Sequence, residues 1–409
     1  MAHGVHRSAW GYIAVGAALI TVVAACGSGS SSTASPSAAA PTTQPTVASS
    51  MAAPATAAPT AAASAAAFTP TRAAGIPGAL LPSELKLWKY DSAAGKYVEV
   101  PGDASAPYVP NDNRTAPKPY TIGYIEGWAA NTASALIHKG IYDWAAKMGV
   151  KIITCDAQFD PDKALTCAET LAQQKPDFIV NANWRAESAT AMSKIFDEAK
   201  IPTDNADVLH PDAIFFGADN YVSGLTAGTA AGEHAQKAGV CGDVTILLGG
   251  NPGEGEAANQ RLTGFSDGIQ EKCGPLPADR IVTLLFDAGT PDQALTKTTD
   301  WLTGNPNAKY VLATSIDDER VTGMTKALSQ STRDGVGVGQ GCDDVGIAAT
   351  KAGTVDKTHW LGCVGFFFEK YGDYVMSIAL DVLAGTPVPQ EVHMEHKMLT
   401  SDNIAQYYP

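Results

Sequence analysis

The stretch from Ile201 to Gly228, IPTDNADVLHPDAIFFGADNYVSGLTAG, decides how the rest of the chain is read. It holds an apolar run that ends in Gly217-Ala218-Asp219-Asn220, followed by a segment with small residues on one side: Gly224, Ala227, Gly228, Ala230 and Ala231. The run has the length and branching of a buried strand, and the segment after it the period of a helix. Asp219 and Asn220 stand at the junction, where a short polar side chain satisfies the free N–H groups of a first helical turn. The small face then lets the helix lie close against a sheet. A strand, a polar turn and a closely packed helix make the repeating unit of an α/β fold.

The unit recurs on both sides of this stretch. Before it come strands at Tyr120–Ile125, Val150–Thr154, Asp177–Asn181 and Ile201–Asp207, separated by helical stretches at Ala133–Met148, Pro161–Gln174 and Glu187–Ala199. After it the rhythm restarts with strands at Asp243–Leu248, Ile281–Phe286 and Lys309–Thr314 and helices at Ala257–Gln270, Gln293–Gly304 and Val321–Ser329. Two runs of such units predict two doubly wound parallel sheets, Rossmann-like, in separate lobes. Ligands of such sheets lie beyond the carboxyl ends of the strands, so facing lobes line a shared cleft.

Composition narrows the function. The 409 residues carry a formal charge of −14, which argues against a nucleic-acid partner. At the N-terminus, His6 and Arg7 precede an apolar run from Trp10 to Ala25 that ends in Val23-Ala24-Ala25-Cys26, the pattern of an export signal over residues 1–25. The ending resembles the bacterial lipobox, which marks Cys26 for acylation, so the membrane is reached through a lipid anchor only. Residues 26–75 are nearly all Ala, Ser, Thr and Pro and read as a disordered tether, whose flexible part spans roughly 35–40 Å root-mean-square. Residues 76–119 read as an extension that packs on the body. Six cysteines remain after Cys26: Cys155, Cys167, Cys241, Cys273, Cys342 and Cys363. In an exported chain they imply disulfides, with fifteen possible pairings, of which the sequential one is the simplest. No Cys/His spacing fits a metal site, and no cofactor is implied.

At this point the sequence, from about Tyr120 onward, resembles a solute-binding protein of an ATP-binding cassette (ABC) importer, of the ribose-binding, type I periplasmic kind. The resemblance rests on Asp219-Asn220-x-x-x-Gly224-x-x-Ala227-Gly228, Asn259-x-Arg261-x-x-Gly264-Phe265, the lead-in Lys200-Ile201-Pro202, and Leu383-Ala384-Gly385-Thr386-Pro387. It implies two lobes on a three-segment hinge, residues 120–220 with 367–392 and 221–366 with 393–409. It also implies an extracytoplasmic, lipid-anchored monomer that closes on a sugar or polyol and serves an ABC permease and its ATPase. The loop positions that hold ligand contacts in such proteins carry Trp128, Asn131, Asn183, Trp184, Asp207, Asn259, Arg261, Asp317, Asp318 and Phe366 here. Carboxylates accept hydroxyl hydrogens, Asn and Arg bridge adjacent oxygens, and aromatic rings cover a C–H face.

Each residue also has a plainer reading. The tryptophans can cover a core edge, Asn131, Asp317 and Asp318 can cap helices, Arg261 can form a surface ion pair, and Phe366 can belong to the core. Ala133 and Ser134 stand where ribose binders carry aromatic residues, Val208 where they carry an arginine and Gly341 where they carry an aspartate, which points to another sugar, a polyol or a similar small polar molecule. The glycine-rich Gly249–Gly255 is no phosphate cradle, because Pro252 removes a donor and Glu254 repels an anion. No nucleophile–base pair is evident, so the expectation is a binding protein rather than a hydrolase. A receptor that feeds a sensor or chemotaxis partner is the alternative.

Overall fold

A computed structural model describes residues 68, 69, 72, 74–111, 113–353 and 355–409. The export signal, Cys26 and most of the tether lie outside the described residues. In chain order the elements are β1 (Leu87–Asp91), β2 (Lys96–Val100), β3 (Thr121–Glu126), α1 (Thr132–Met148), β4 (Lys151–Asp156), α2 (Pro161–Gln173), β5 (Phe178–Asn181), α3 (Ala189–Ala199), β6 (Thr203–Ala206), β7 (Ile214–Ala218) and α4 (Asn220–Ala238). They continue with β8 (Val244–Gly250), α5 (Gly255–Cys273), β9 (Ile281–Leu285), α6 (Pro291–Gly304), β10 (Tyr310–Ser315), α7 (Asp318–Ser329), β11 (Asp334–Gly341), α8 (Asp344–Lys351), α9 (Val355–Thr358) and β12 (Trp360–Gly365). The last are α10 (Tyr371–Leu383), β13 (Val388–Pro389), β14 (Glu391–Met394), β15 (Lys397–Leu399) and α11 (Ile404–Tyr407).

Two six-stranded sheets result. One runs β14-β7-β6-β5-β3-β4 and is parallel throughout. The other runs β15-β12-β11-β10-β8-β9, parallel except for β15. Central strands such as β7 and β10 are buried along their whole length, as sheets covered on both faces require. Each sheet with its helices forms one α/β lobe. The chain crosses between lobes after β7, after β12 and at Glu395–His396, between β14 and β15. The last crossing falls slightly later than the sequence suggests, because Val392 to Met394 still pair with Phe216 to Ala218.

The small face of α4 has a second neighbour beside the sheet expected for it. The helix does lie on the second sheet, against β11, β12 and β15, but the glycines of its small face meet α5. A side chain at Gly224 would come within 2.0 Å of the Arg261 carbonyl, and one at Gly228 within 2.1 Å of the Phe265 carbonyl. The two helix backbones therefore touch, and that close approach places Arg261 at the cleft.

The extension packs mainly on the first lobe, from residue 82 onward. β1 and β2 form a hairpin whose free edge pairs with β13. Beyond it, Tyr108 donates a hydrogen bond to Asp381 (2.7 Å), and the Arg114 guanidinium pairs with the other oxygen of that carboxylate (2.6 Å). The six cysteines form Cys155–Cys167, Cys241–Cys273 and Cys342–Cys363. Each bridge is internal to one lobe, so none ties the lobes together.

Candidate functional site

The carboxyl ends of both sheets face each other across a cavity that offers about 60 Å³ to the centres of water molecules. That is room for roughly four to six waters, and so for a monosaccharide or a smaller polyol rather than an oligosaccharide. The first lobe contributes the loops after β3, β4, β5 and β6; the second contributes those after β8, β10 and β11.

Six of the ten residues marked in the sequence line this cavity: Trp128, Asn131, Trp184, Asp207, Arg261 and Asp317. Asn131 and Asp317 also cap helices. The Asn131 side chain accepts from the Ser134 N–H at the start of α1, and Asp317 accepts from the Arg320 N–H at the start of α7. Asp207 is held in the left-handed region (φ 65°) and accepts from the Ala218 N–H (3.1 Å) and the Tyr371 hydroxyl (3.0 Å). Gly217 is required opposite it, since a Cβ there would lie 2.4 Å from the Asp207 carboxylate. Burial pushes the Asp207 carboxyl up, against the pull of the Arg261 guanidinium.

Arg261 is buried. Its Nε donates to Asn220 Oδ1 (2.6 Å), one terminal nitrogen donates to the Ile316 carbonyl (2.5 Å), and the plane lies 4.7 Å from the Phe366 ring. Phe366 is thus no wall of the cavity but the platform under Arg261. Its own ring is fully buried against His396, at the third crossing.

Asn183, Asn259 and Asp318 also fall outside the lining. The Asn183 amide is used up within its own loop, donating to the Arg185 carbonyl and Ser188 Oγ. Asn259 donates to the Asn251 and Gly255 carbonyls and shapes the loop after β8. Asp318 points away beneath α8, where it accepts from the Asp343 N–H (2.9 Å).

The lining also holds residues outside the ten marked in the sequence. Phe159 stacks on Trp128 at 5.4 Å. Arg320, only 2% exposed, pairs with Glu254 (2.5 Å) and Asp317 (2.9 Å). The buried Gln340 leaves both ends of its amide without a protein partner, as Trp184 leaves its indole N–H. Phe368 closes the hinge side and occupies the space where a residue larger than Gly341 would put its side chain. Two residues after Gly341, Asp343 brings a carboxylate to the lining.

Asp343 also bridges the lobes: Thr132, the first residue of α1, donates to it (2.5 Å) and lies 3.5 Å from Glu319. These acids crowd. Burial first, then Asp317 and Asp343, push Glu319 up to about 7, and burial raises Asp343 and Asp318 as well. A carboxyl raised in the folded state contributes stability that is complete below its ordinary range and lost as pH climbs through the raised value. The melting temperature should therefore fall between about pH 5 and pH 8. Glu319→Gln should flatten that fall, raising the melting point more at pH 8 than at pH 5; an unchanged slope would contradict it.

Among the described residues no group of His, Cys, Asp and Glu is placed to hold a metal ion. No helix among them is long and apolar enough to cross a membrane.

Residues 121–387 match the periplasmic binding protein domain family, well over half of the 409 residues. The chain belongs to this family. The periplasmic binding protein is similar to the ribose import binding protein of Bacillus subtilis (strain 168), 25% identical over 287 residues that make up 69% of this chain and 88% of that one. Solved structures share the fold. A glucose-galactose binding protein from Geobacillus stearothermophilus superposes with TM-score 0.59 at 20% identity, covering 70% of this chain and 99% of that one. An ABC transporter solute binding protein from Bacillus halodurans, solved with bound myo-inositol, gives TM-score 0.58 at 18% identity over 73% and 98%. The family match begins at residue 121, so the hairpin and the segment before it lie outside it.

Proposed function

We propose that this periplasmic binding protein captures a small neutral sugar or polyol between its lobes and delivers it to the permease of an ABC importer. The extracytoplasmic face of the membrane, with a lipid on Cys26 as anchor, is the setting that the N-terminal sequence suggests. The reading rests above all on one observation: a cavity shared by both lobes has aromatic walls and buried polar groups left without protein partners. Trp128, Phe159, Trp184 and Phe368 supply apolar faces, and Gln340 and the Trp184 indole supply unused hydrogen-bonding capacity. A polyhydroxylated ring or chain satisfies both demands at once.

The charges favour a neutral ligand. Four carboxylates (Asp207, Glu254, Asp317 and Asp343) face two guanidiniums, and both guanidiniums are already engaged by protein acceptors. An acidic sugar or a phosphate ester would have to share the two guanidiniums with those carboxylates and would lose solvation among like charges. Delivery to a permease, rather than to a sensor, is supported by the ribose importer component among the relatives.

Trp184 provides the test. Titrating the full-length protein with neutral sugars and polyols should change tryptophan emission, and Trp184→Phe should remove most of that change. The matching uronic acids should leave emission flat. Equal responses to neutral and acidic forms would contradict this reading of the pocket.

A further inference from the structure

Outside the family match, Arg72 and residues 74–81 run across the seam between the lobes. On the first lobe the segment is held by one carboxylate: Glu391 of β14 accepts from the N–H of Gly78 (2.7 Å) and of Leu80 (3.2 Å). On the other side Arg72 pairs with Asp219 (2.9 Å) and lies 5.9 Å over the Tyr221 ring. Asp219 caps α4 through the Val222 N–H, so it moves with the second lobe. The same guanidinium donates to the Ala79 and Leu80 carbonyls and fixes the segment's own shape.

Gly78, at φ 77°, lies flat against both lobes. A Cβ there would sit 2.9 Å from Ala257 Cβ on α5 and 3.4 Å from the Phe215 ring on β7. Beneath Pro77 is a second cavity whose walls come from both lobes, and two of its residues, Val208 and Glu254, also line the candidate ligand site. At this seam the lobes already touch, since a Cβ at Gly255 would be 3.0 Å from Ala186 and one at Gly253 would be 2.9 Å from the Arg185 guanidinium.

We propose that this segment is an intramolecular clamp that grips both lobes beside the ligand cavity and restrains the cleft from opening. A lobe rotation that widens this seam must pull Asp219 and Ala257 away from a strap fastened to Glu391. The restraint acts with no ligand present, so it sets how far the empty protein opens. It rests on the reading that the lobes open at all, as the proposed function requires.

The test uses the full chain without ligand. Spin labels on non-natural residues at Glu169 of α2 and Asp300 of α6, both exposed and in different lobes, leave the disulfides alone. Arg72→Ala should raise the open-to-closed ratio roughly tenfold, the weight of one charge-assisted hydrogen bond. Gly78→Val should do the same by lifting the strap off Ala257, and it decides the matter if Arg72→Ala proves unstable. Distance distributions in both variants that overlay the native one would overturn the clamp. A single rigid separation in every form, native included, would instead overturn the opening on which the proposed function depends.

Discussion

Replacing Arg261 with alanine is expected to abolish ligand binding and to cost the fold about 3–5 kcal/mol, the scale for removing one member of a buried charged set. Arg261 is where three parts of the structure meet. Its guanidinium takes Asn220 from the start of α4, the Ile316 carbonyl from the loop after β10, and the Phe366 ring from the second crossing. It also supplies the positive charge that opposes the burial of Asp207. Its removal leaves Asn220 without that donor and Asp207 without its counter-charge, with Asp207 taking up a proton in compensation. Arg261→Lys keeps the charge but loses the planar fork, so it should recover much of the stability and little of the binding. Urea denaturation beside a binding titration separates the two effects. Wild-type affinity in Arg261→Ala would show that the residue only supports the hinge.

The second large effect is expected at Arg320. Arg320→Met leaves Glu254 and Asp317 facing one cavity with no cation between them, again at about 3–5 kcal/mol. Glu254 comes from the loop after β8 and Asp317 from the loop after β10, so the pair ties two walls of the site together. Adding Glu254→Gln to Arg320→Met should restore part of the loss, because one of the stranded charges is gone. A double-mutant cycle by denaturation measures this, and strict additivity of the two changes would argue against a coupled network.

Much of the fold was legible because local chemistry and long-range pattern agree. The apolar run ending at Gly217-Ala218-Asp219 is β7 with the cap of α4, and Asp219 accepts the Val222 N–H as a cap does. The second partner of the small face, α5, was not legible: close packing demands small residues whether the neighbour is a sheet or another helix. Nor was β11, whose Asp334-Gly-Val-Gly-Val-Gly-Gln-Gly341 run alternates glycine with valine and carries little strand propensity of its own. Missing that strand hid Gln340 and Asp343, which stand at its carboxyl end.

The site shows the same division. Residues directly after a strand that was read as one, such as Trp128 and Asp207, fall where strand ends point. Asn183 and Asn259 stand in equally good places but bond to their own loops, a choice made by backbone turns that spacing does not reveal. Glu254, whose charge unfits its loop for phosphate, is the group that Arg320 meets. The signal for Arg320 was the Asp317-x-x-Arg320 spacing, which places the two side chains on one helical face. Phe159 carried no sequence signal, because only its left-handed backbone (φ 57°) turns it toward Trp128.

The most direct measurement is the melting temperature of the full-length protein against a panel of neutral sugars, polyols, amino acids and nucleosides. A ligand that binds only the folded state raises it with concentration. The account predicts a concentration-dependent rise with at least one neutral sugar or polyol, lost in Arg261→Ala. A rise confined to amino acids or nucleosides would contradict the assignment of the cavity.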